Sequence, residues 1–137
     1  MKKIVLISCV SKKVEYRTTA RDLYISTLFK LNLRYAEQLR PDNIFILSAK
    51  YGLLPLSKEV EPYELTLNTM SSNDIKTWAG GVLQQLSNRY KMDACHFTFL
   101  AGEKYRKHLI PHTPHADIPL QGLRIGEQLQ KLKGLIA

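Results

Sequence analysis

The chain has 137 residues, 45% of them hydrophobic, which is the size and composition of one folded domain and excludes an intrinsically disordered one. Lys and Arg outnumber Asp and Glu by 20 to 12, a net charge of +8 that favours acidic partners such as nucleic acid or a phosphorylated small molecule. No apolar run approaches the ~20 residues of a membrane span, and Met1-Lys2-Lys3 followed by a four-residue apolar run does not make a secretory signal.

In chain order, Ile4 to Cys9 is an uninterrupted apolar run that suits a strand covered on both faces. A polar, basic stretch from Val10 to Thr19 leads into a helix predicted from Thr19 to Leu39. Leu23, Leu28, Leu31, Tyr35 and Leu39 form its apolar stripe, Thr19 its N-cap, and Asp22 the acidic partner of a capping box. Asn43 to Ala49 is a second buried strand, parallel to the first because the connection contains a helix. The stretch after it reads as an ordered, mostly non-regular excursion with an extended piece near Glu64 to Leu67. A second helix is expected from Ser72 to Lys91, capped by Ser71 or Ser72, with Gly80-Gly81 marking a kink or a close packing contact.

His96 to Ala101 is a third strand, Glu103 to Leu109 a short helix, Pro111 to Pro119 a loop, and Leu123 to Leu135 a final helix with Ile125, Leu129 and Leu132 on one face. This alternation predicts a single α/β domain over residues 1–137: a three-layer α/β/α, doubly wound, mostly parallel, Rossmann-like sheet. Cys9 and Cys95 read as reduced core thiols and the cytoplasm as their compartment. Paired Cys/His spacing of the zinc type does not occur, so no metal is expected.

Ligands of open parallel sheets bind beyond the carboxyl ends of the strands. The three exits here are Ser8-Cys9-Val10-Ser11-Lys12-Lys13, Ser48-Ala49-Lys50-Tyr51-Gly52 and Ala101-Gly102-Glu103-Lys104-Tyr105-Arg106. Each combines small residues, donors and a lysine, a set suited to a phosphate or carboxylate. Neither a Walker loop nor Gly-x-Gly-x-x-Gly is present, so no ATP or dinucleotide cofactor is expected. Ser48 to Gly52 is the most unusual exit, placing a lysine and a phenol directly after a buried strand. Tyr63, after Pro62, is a second aromatic of the kind that stacks on bases. His112 and His115 could serve as acid–base groups only with their loop folded over the site.

The run Ile46-Leu47-Ser48-Ala49-Lys50-Tyr51-Gly52-Leu53-Leu54-Pro55 with Glu61-Pro62-Tyr63 resembles the signature of a small, largely uncharacterised bacterial and phage domain family. It is also similar to the matching stretch of the YaaA peroxide-stress family. Ile7-Ser8-Cys9, Lys12-Lys13, Asp22-Leu23-Tyr24 and Ala101-Gly102 with Tyr105 extend the resemblance to the small family over most of the chain. The resemblance implies an association with DNA, with modified nucleobases, or with base-releasing glycosidases. YaaA proteins are longer and carry a helix-hairpin-helix insertion for which this chain has no room, so duplex DNA binding does not carry over.

The first expectation is therefore a nucleotide- or nucleobase-directed hydrolase or N-glycosidase. Lys12, Lys50 and Arg106 would hold phosphate, Tyr51 and Tyr63 would position the base, and Asp22 or Glu103 would activate water, with Lys50 a further catalytic candidate. Ser8, Ser11, Tyr24, Ser48, Gly52, Gly102 and Tyr105 complete the ligand set. The alternatives are a non-catalytic DNA- or RNA-binding protein related to the YaaA proteins, and a small-ligand sensor or interaction subunit. The sequence does not decide between monomer and homodimer, and no sequence feature supports a homodimer.

Overall fold

The apolar run near the N-terminus forms the centre of the sheet. In the computed structural model, which describes residues 1–8 and 12–137, it is strand β1 (Lys2–Ser8), and Ile4, Val5, Leu6 and Ile7 are all buried. Successive strand side chains point to opposite faces, so β1 must be covered on both. The described chain continues through β2 (Thr18–Thr19), α1 (Ala20–Leu23), α2 (Thr27–Gln38), β3 (Asn43–Ser48), β4 (Gly52–Pro55) and β5 (Glu59–Val60). It ends with α3 (Ser72–Ser87), β6 (Cys95–Leu100), α4 (Glu103–Arg106), β7 (Ala116–Asp117) and α5 (Ile125–Ile136).

The main sheet has the order β4-β3-β1-β6-β7, parallel throughout except for β4, which turns back along β3. Its two faces carry separate cores. Ile4, Leu6, Phe45, Leu47, Phe97 and Phe99 pack with Ile75, Ala79, Val82 and Leu86 of α3. Val5, Ile7, Ile46 and Leu100 pack with Phe29, Leu33 and Ala36 of α2 and Leu132 of α5. The fold is thus mixed α/β, with a five-stranded, mostly parallel sheet and five helices among the described residues.

The structure departs from the sequence expectations in several places. The helix expected from Thr19 to Leu39 is broken at Tyr24–Ser26. There the backbone pairs with the segment leaving β1: Val14 N donates to Leu23 O (2.9 Å) and Ile25 N to Lys12 O (3.0 Å). These bonds take the strand-like backbone out of the helix ladder, and the Ser26 hydroxyl starts a new helix by accepting from Phe29 N at 3.2 Å. Thr19 makes no side-chain cap; its hydroxyl donates to Asp22 Oδ2 (3.2 Å), and its backbone belongs to β2, paired with β5. The buried face of α2 is Phe29, Asn32, Leu33 and Ala36, whereas Leu39 is exposed.

The excursion after β3 contains the hairpin strand β4, and the extended piece lies at β5 instead of near Glu64 to Leu67, where the chain forms a 3₁₀ turn over Leu67–Thr69. Helices α3 and α4 stop short of Lys91 and Leu109. Gly80 and Gly81 lie inside the continuous α3 and mark no close packing contact, since a Cβ at either would meet open space. The proline-rich loop contributes β7. Of the expected α5 face, Leu132 is buried but Ile125 is exposed. Cys95 is a buried free thiol whose pKa burial pushes up, and Cys9 lies outside the described residues.

The β3–β4 hairpin depends on Gly52. Its φ of +70° is the left-handed region, and a Cβ there would sit 2.4 Å from Gln85 Oε1. That oxygen is in use, accepting from Leu53 N at 2.8 Å, while Gln85 Nε2 donates to Tyr51 O at 3.3 Å. Gly52→Ala therefore combines about 1–2 kcal/mol of backbone strain with displacement of Gln85. Urea denaturation should show a smaller penalty for Gly52→Ala in a Gln85→Ala background, where the clash is gone. Equal penalties in the two backgrounds would contradict this account.

Candidate functional site: a cleft at the strand ends

Because β3, β1 and β6 are adjacent and parallel, their exits meet at one edge of the sheet. The chain leaving β1 goes to β3 on one side, and the chain leaving β6 goes to β7 on the other. With the two connections diverging, a crevice is left between the ends of β1 and β6. A cleft of about 930 Å³ opens there, within the range of small-ligand sites. Ser8 lines it from β1 and Leu100, Ala101 and Gly102 from β6, while the first turn of α2, all of α4 and parts of the 118–129 segment complete the wall. The Ser8 hydroxyl accepts from Gly102 N at 2.9 Å and ties the two strand ends together.

The walls are apolar where Leu28, Ile118, Leu123 and Leu129 stand, and cationic where Lys104, Arg106 and Lys107 stand. Arg106 Nη1 donates to Ala101 O at 2.7 Å, which orients the guanidinium and leaves it further donors. At the start of α2 the amides of Thr27 and Leu28 have no carbonyl partner within the helix, since Phe29 N goes to the Ser26 hydroxyl and Lys30 N to Ser26 O. A smaller cavity of about 200 Å³ near Lys3, His96 and Asp117 lies at the opposite edge.

The β3 exit builds a second arrangement. The Ser48 hydroxyl accepts from Lys50 N (3.2 Å) and Tyr51 N (3.0 Å) and donates to the Tyr63 hydroxyl (2.9 Å), which is also hydrogen-bonded to the Tyr24 hydroxyl. Trp78 Nε1 donates to Ser48 O at 2.8 Å. The Tyr51 and Tyr63 rings meet edge to face at 5.7 Å. Lys13 Nζ lies 4.6 Å from the Tyr63 ring centre, and Lys50 Nζ lies 5.3 Å from that of Tyr51. This tyrosine cluster does not line the cleft, but it adjoins it where Tyr24 packs on Phe29, with ring centres 5.1 Å apart.

The anticipated site residues therefore divide. Ser8, Gly102, Glu103, Tyr105 and Arg106 line the cleft. Tyr105 is buried, and its hydroxyl lies 3.4 Å from Leu67 N. Tyr24, Ser48, Tyr51, Gly52 and Tyr63 belong to the cluster and its hairpin. Lys12 is exposed, with its carbonyl accepting from Ile25 N. Asp22 is exposed on α1 beside Thr19 and does not line the cleft, so Asp22, Lys50 and Glu103 are not brought together. Ser11 lies outside the described residues. His115 sits at the other edge of the sheet, its carbonyl accepting from Phe97 N, and neither it nor His112 lines the cleft. Among the described residues, no group of three or more His, Cys, Asp or Glu could hold a metal, and no helix is long and apolar enough to cross a membrane.

Sequence reasoning missed Ser26, Asn32 and Lys107, all of which line the cleft, and it placed Lys104, another lining residue, only within the third strand exit. The signal for Asn32 was a polar residue on the apolar face of a helix, at i+3 from Phe29 and i−4 from Ala36.

Residues 4–134 match DUF6884, a family of unknown function. The chain belongs to this family. No curated protein and no solved structure matches it.

For this DUF6884 chain, the cluster's stability depends more on Ser48 than on Tyr63. Ser48→Ala strips a partner from two backbone amides and should cost about 1–3 kcal/mol, whereas Tyr63→Phe keeps those amides bonded and should cost about 0.5–1.5 kcal/mol. Urea midpoints for the two variants would show this order, and an equal or reversed order would refute it.

Proposed function

We propose that this chain binds an anionic, nucleotide-like ligand in the β1–β6 cleft and acts on it as a hydrolase of the N-glycosidase kind, within a three-layer, Rossmann-like α/β/α frame and in the cytoplasm. The observation that carries this reading is the composition of the cleft. Apolar walls broad enough for a base and sugar stand beside the first-turn amides of α2 and the side chains of Lys104, Arg106 and Lys107.

In this reading the Thr27 and Leu28 amides and Arg106 hold the phosphate, since a helix start and a guanidinium both favour a doubly charged oxygen cluster. Glu103, the carboxylate of the cleft, accepts a proton from the attacking water as the glycosidic carbon–nitrogen bond breaks, and that proton passes on to the departing base nitrogen, so the base leaves neutral and the carboxylate is restored. Lys50, Tyr51 and Tyr63 act at a distance by holding the β3 exit in place. A second reading, nucleic-acid binding without catalysis, is favoured by the +8 charge and by the exposed Lys12, Lys50, Lys104 and Lys107 on the strand exits, and agrees with the resemblance to the YaaA family.

Calorimetric titration with nucleoside monophosphates separates the two readings. The first predicts saturable binding, weakened about 10- to 100-fold by Arg106→Gln, and turnover that Glu103→Gln removes while binding persists. Binding to oligonucleotides alone, with a steep salt dependence, would overturn the first reading in favour of the second.

A further inference from the structure

The described residues include four buried polar side chains: Asn32, Ser48, Thr98 and Thr113. Three are satisfied. Ser48 serves the tyrosine cluster, the Thr98 hydroxyl donates to Asp117 Oδ1 at 2.8 Å, and the Thr113 hydroxyl donates to Ile110 O at 3.1 Å. Asn32 is the exception: it is only 3% exposed, and its Oδ1 has no hydrogen-bond partner. A buried acceptor without a donor is costly, and such groups cluster where a site awaits a ligand.

Asn32 also lines the cleft. Its side chain leans back toward the start of α2, as helical side chains do. It stands five residues beyond Thr27, about 7.5 Å along the helix axis from the first-turn amides. That separation matches the reach of a sugar between its phosphate and its base. Leu28, Ile118 and Leu129 supply apolar surface for a planar ring. Of the other two carboxamides of the cleft, Gln128 is already engaged, with Nε2 donating to Leu123 O at 2.9 Å, and Asn68 is exposed to solvent.

We infer that Asn32 is the specificity-determining residue of the cleft, reading the edge of a nucleobase through its carboxamide while the α2 amides take the phosphate. A carboxamide offers an acceptor beside a donor, and a nucleobase edge presents the complementary pair. The inference rests on the proposed nucleotide-binding function and adds to it the group that distinguishes a base-bearing ligand from a bare sugar phosphate.

The test is calorimetric titration of the whole chain with AMP, GMP, CMP, UMP and ribose 5-phosphate, comparing the parent with Asn32→Leu, which keeps the shape and removes both polar atoms. In the parent, at least one nucleotide should bind about tenfold or more tighter than ribose 5-phosphate. Asn32→Leu should erase that margin and leave ribose 5-phosphate binding unchanged. Asn32→Ala, which adds no bulk, should do the same and guards against misfolding of the leucine variant. A margin that survives in both variants overturns the role of Asn32 and leaves the nucleotide site standing. Equal binding of nucleotides and ribose 5-phosphate by the parent overturns base reading alone. No binding of any probe overturns the proposed function with it.

Discussion

The strand order beside β1 is the constraint on which the rest of the molecule depends. Once β1 has β3 on one side and β6 on the other, all parallel, three exits must share one edge and two of them must diverge. The cleft follows from that divergence. Both sheet faces are occupied by packed side chains, so an opening for a ligand is found at the edge where the layers part. The hydrogen bond from Gly102 N to the Ser8 hydroxyl keeps the two strand ends in register where the crevice begins.

The break between α1 and α2 serves the same edge. A continuous helix from Thr19 would have no helix start at Ser26. Instead, pairing between the segments around Lys13 and Tyr24 interrupts it, and Ser26 restarts it at the cleft with a fresh set of amide donors. Tyr24, left in the break, joins Tyr63 and Ser48 and couples the β3 exit to α2 through Phe29. The tyrosine cluster and the cleft are thus two products of one local event.

Much of the sheet was legible in the sequence because buried parallel strands are short, continuous apolar runs, as at Ile4–Ile7, Ile44–Leu47 and Phe97–Leu100. Strands β4 and β7 were not legible. Leu53-Leu54-Pro55 and Ala116-Asp117 are too short to show a period, and their pairing is set by tertiary position. The α2 register was misread because Leu28, Leu31 and Tyr35 are as apolar as the residues that pack against the sheet. The five-stranded sheet, not the helix, decided that Phe29, Leu33 and Ala36 face inward. Ser8, Gly102, Glu103, Tyr105 and Arg106 of the candidate site followed from the strand-exit rule. Lys50 and Asp22 were drawn in because chemistry-bearing residue types close in sequence to an exit need not point to the same crevice, and Asn32 was passed over because it lies mid-helix, far in sequence from any exit.

The central claim is that the ligand occupies the β1–β6 cleft and not the tyrosine cluster. Amide hydrogen exchange, with and without a saturating nucleoside monophosphate, tests it most directly. The account predicts added protection at Thr27 to Phe29 and at Gly102 to Arg106, with Ser48 to Tyr63 unchanged. Protection centred on Ser48 to Tyr63, or none at either place, would contradict it.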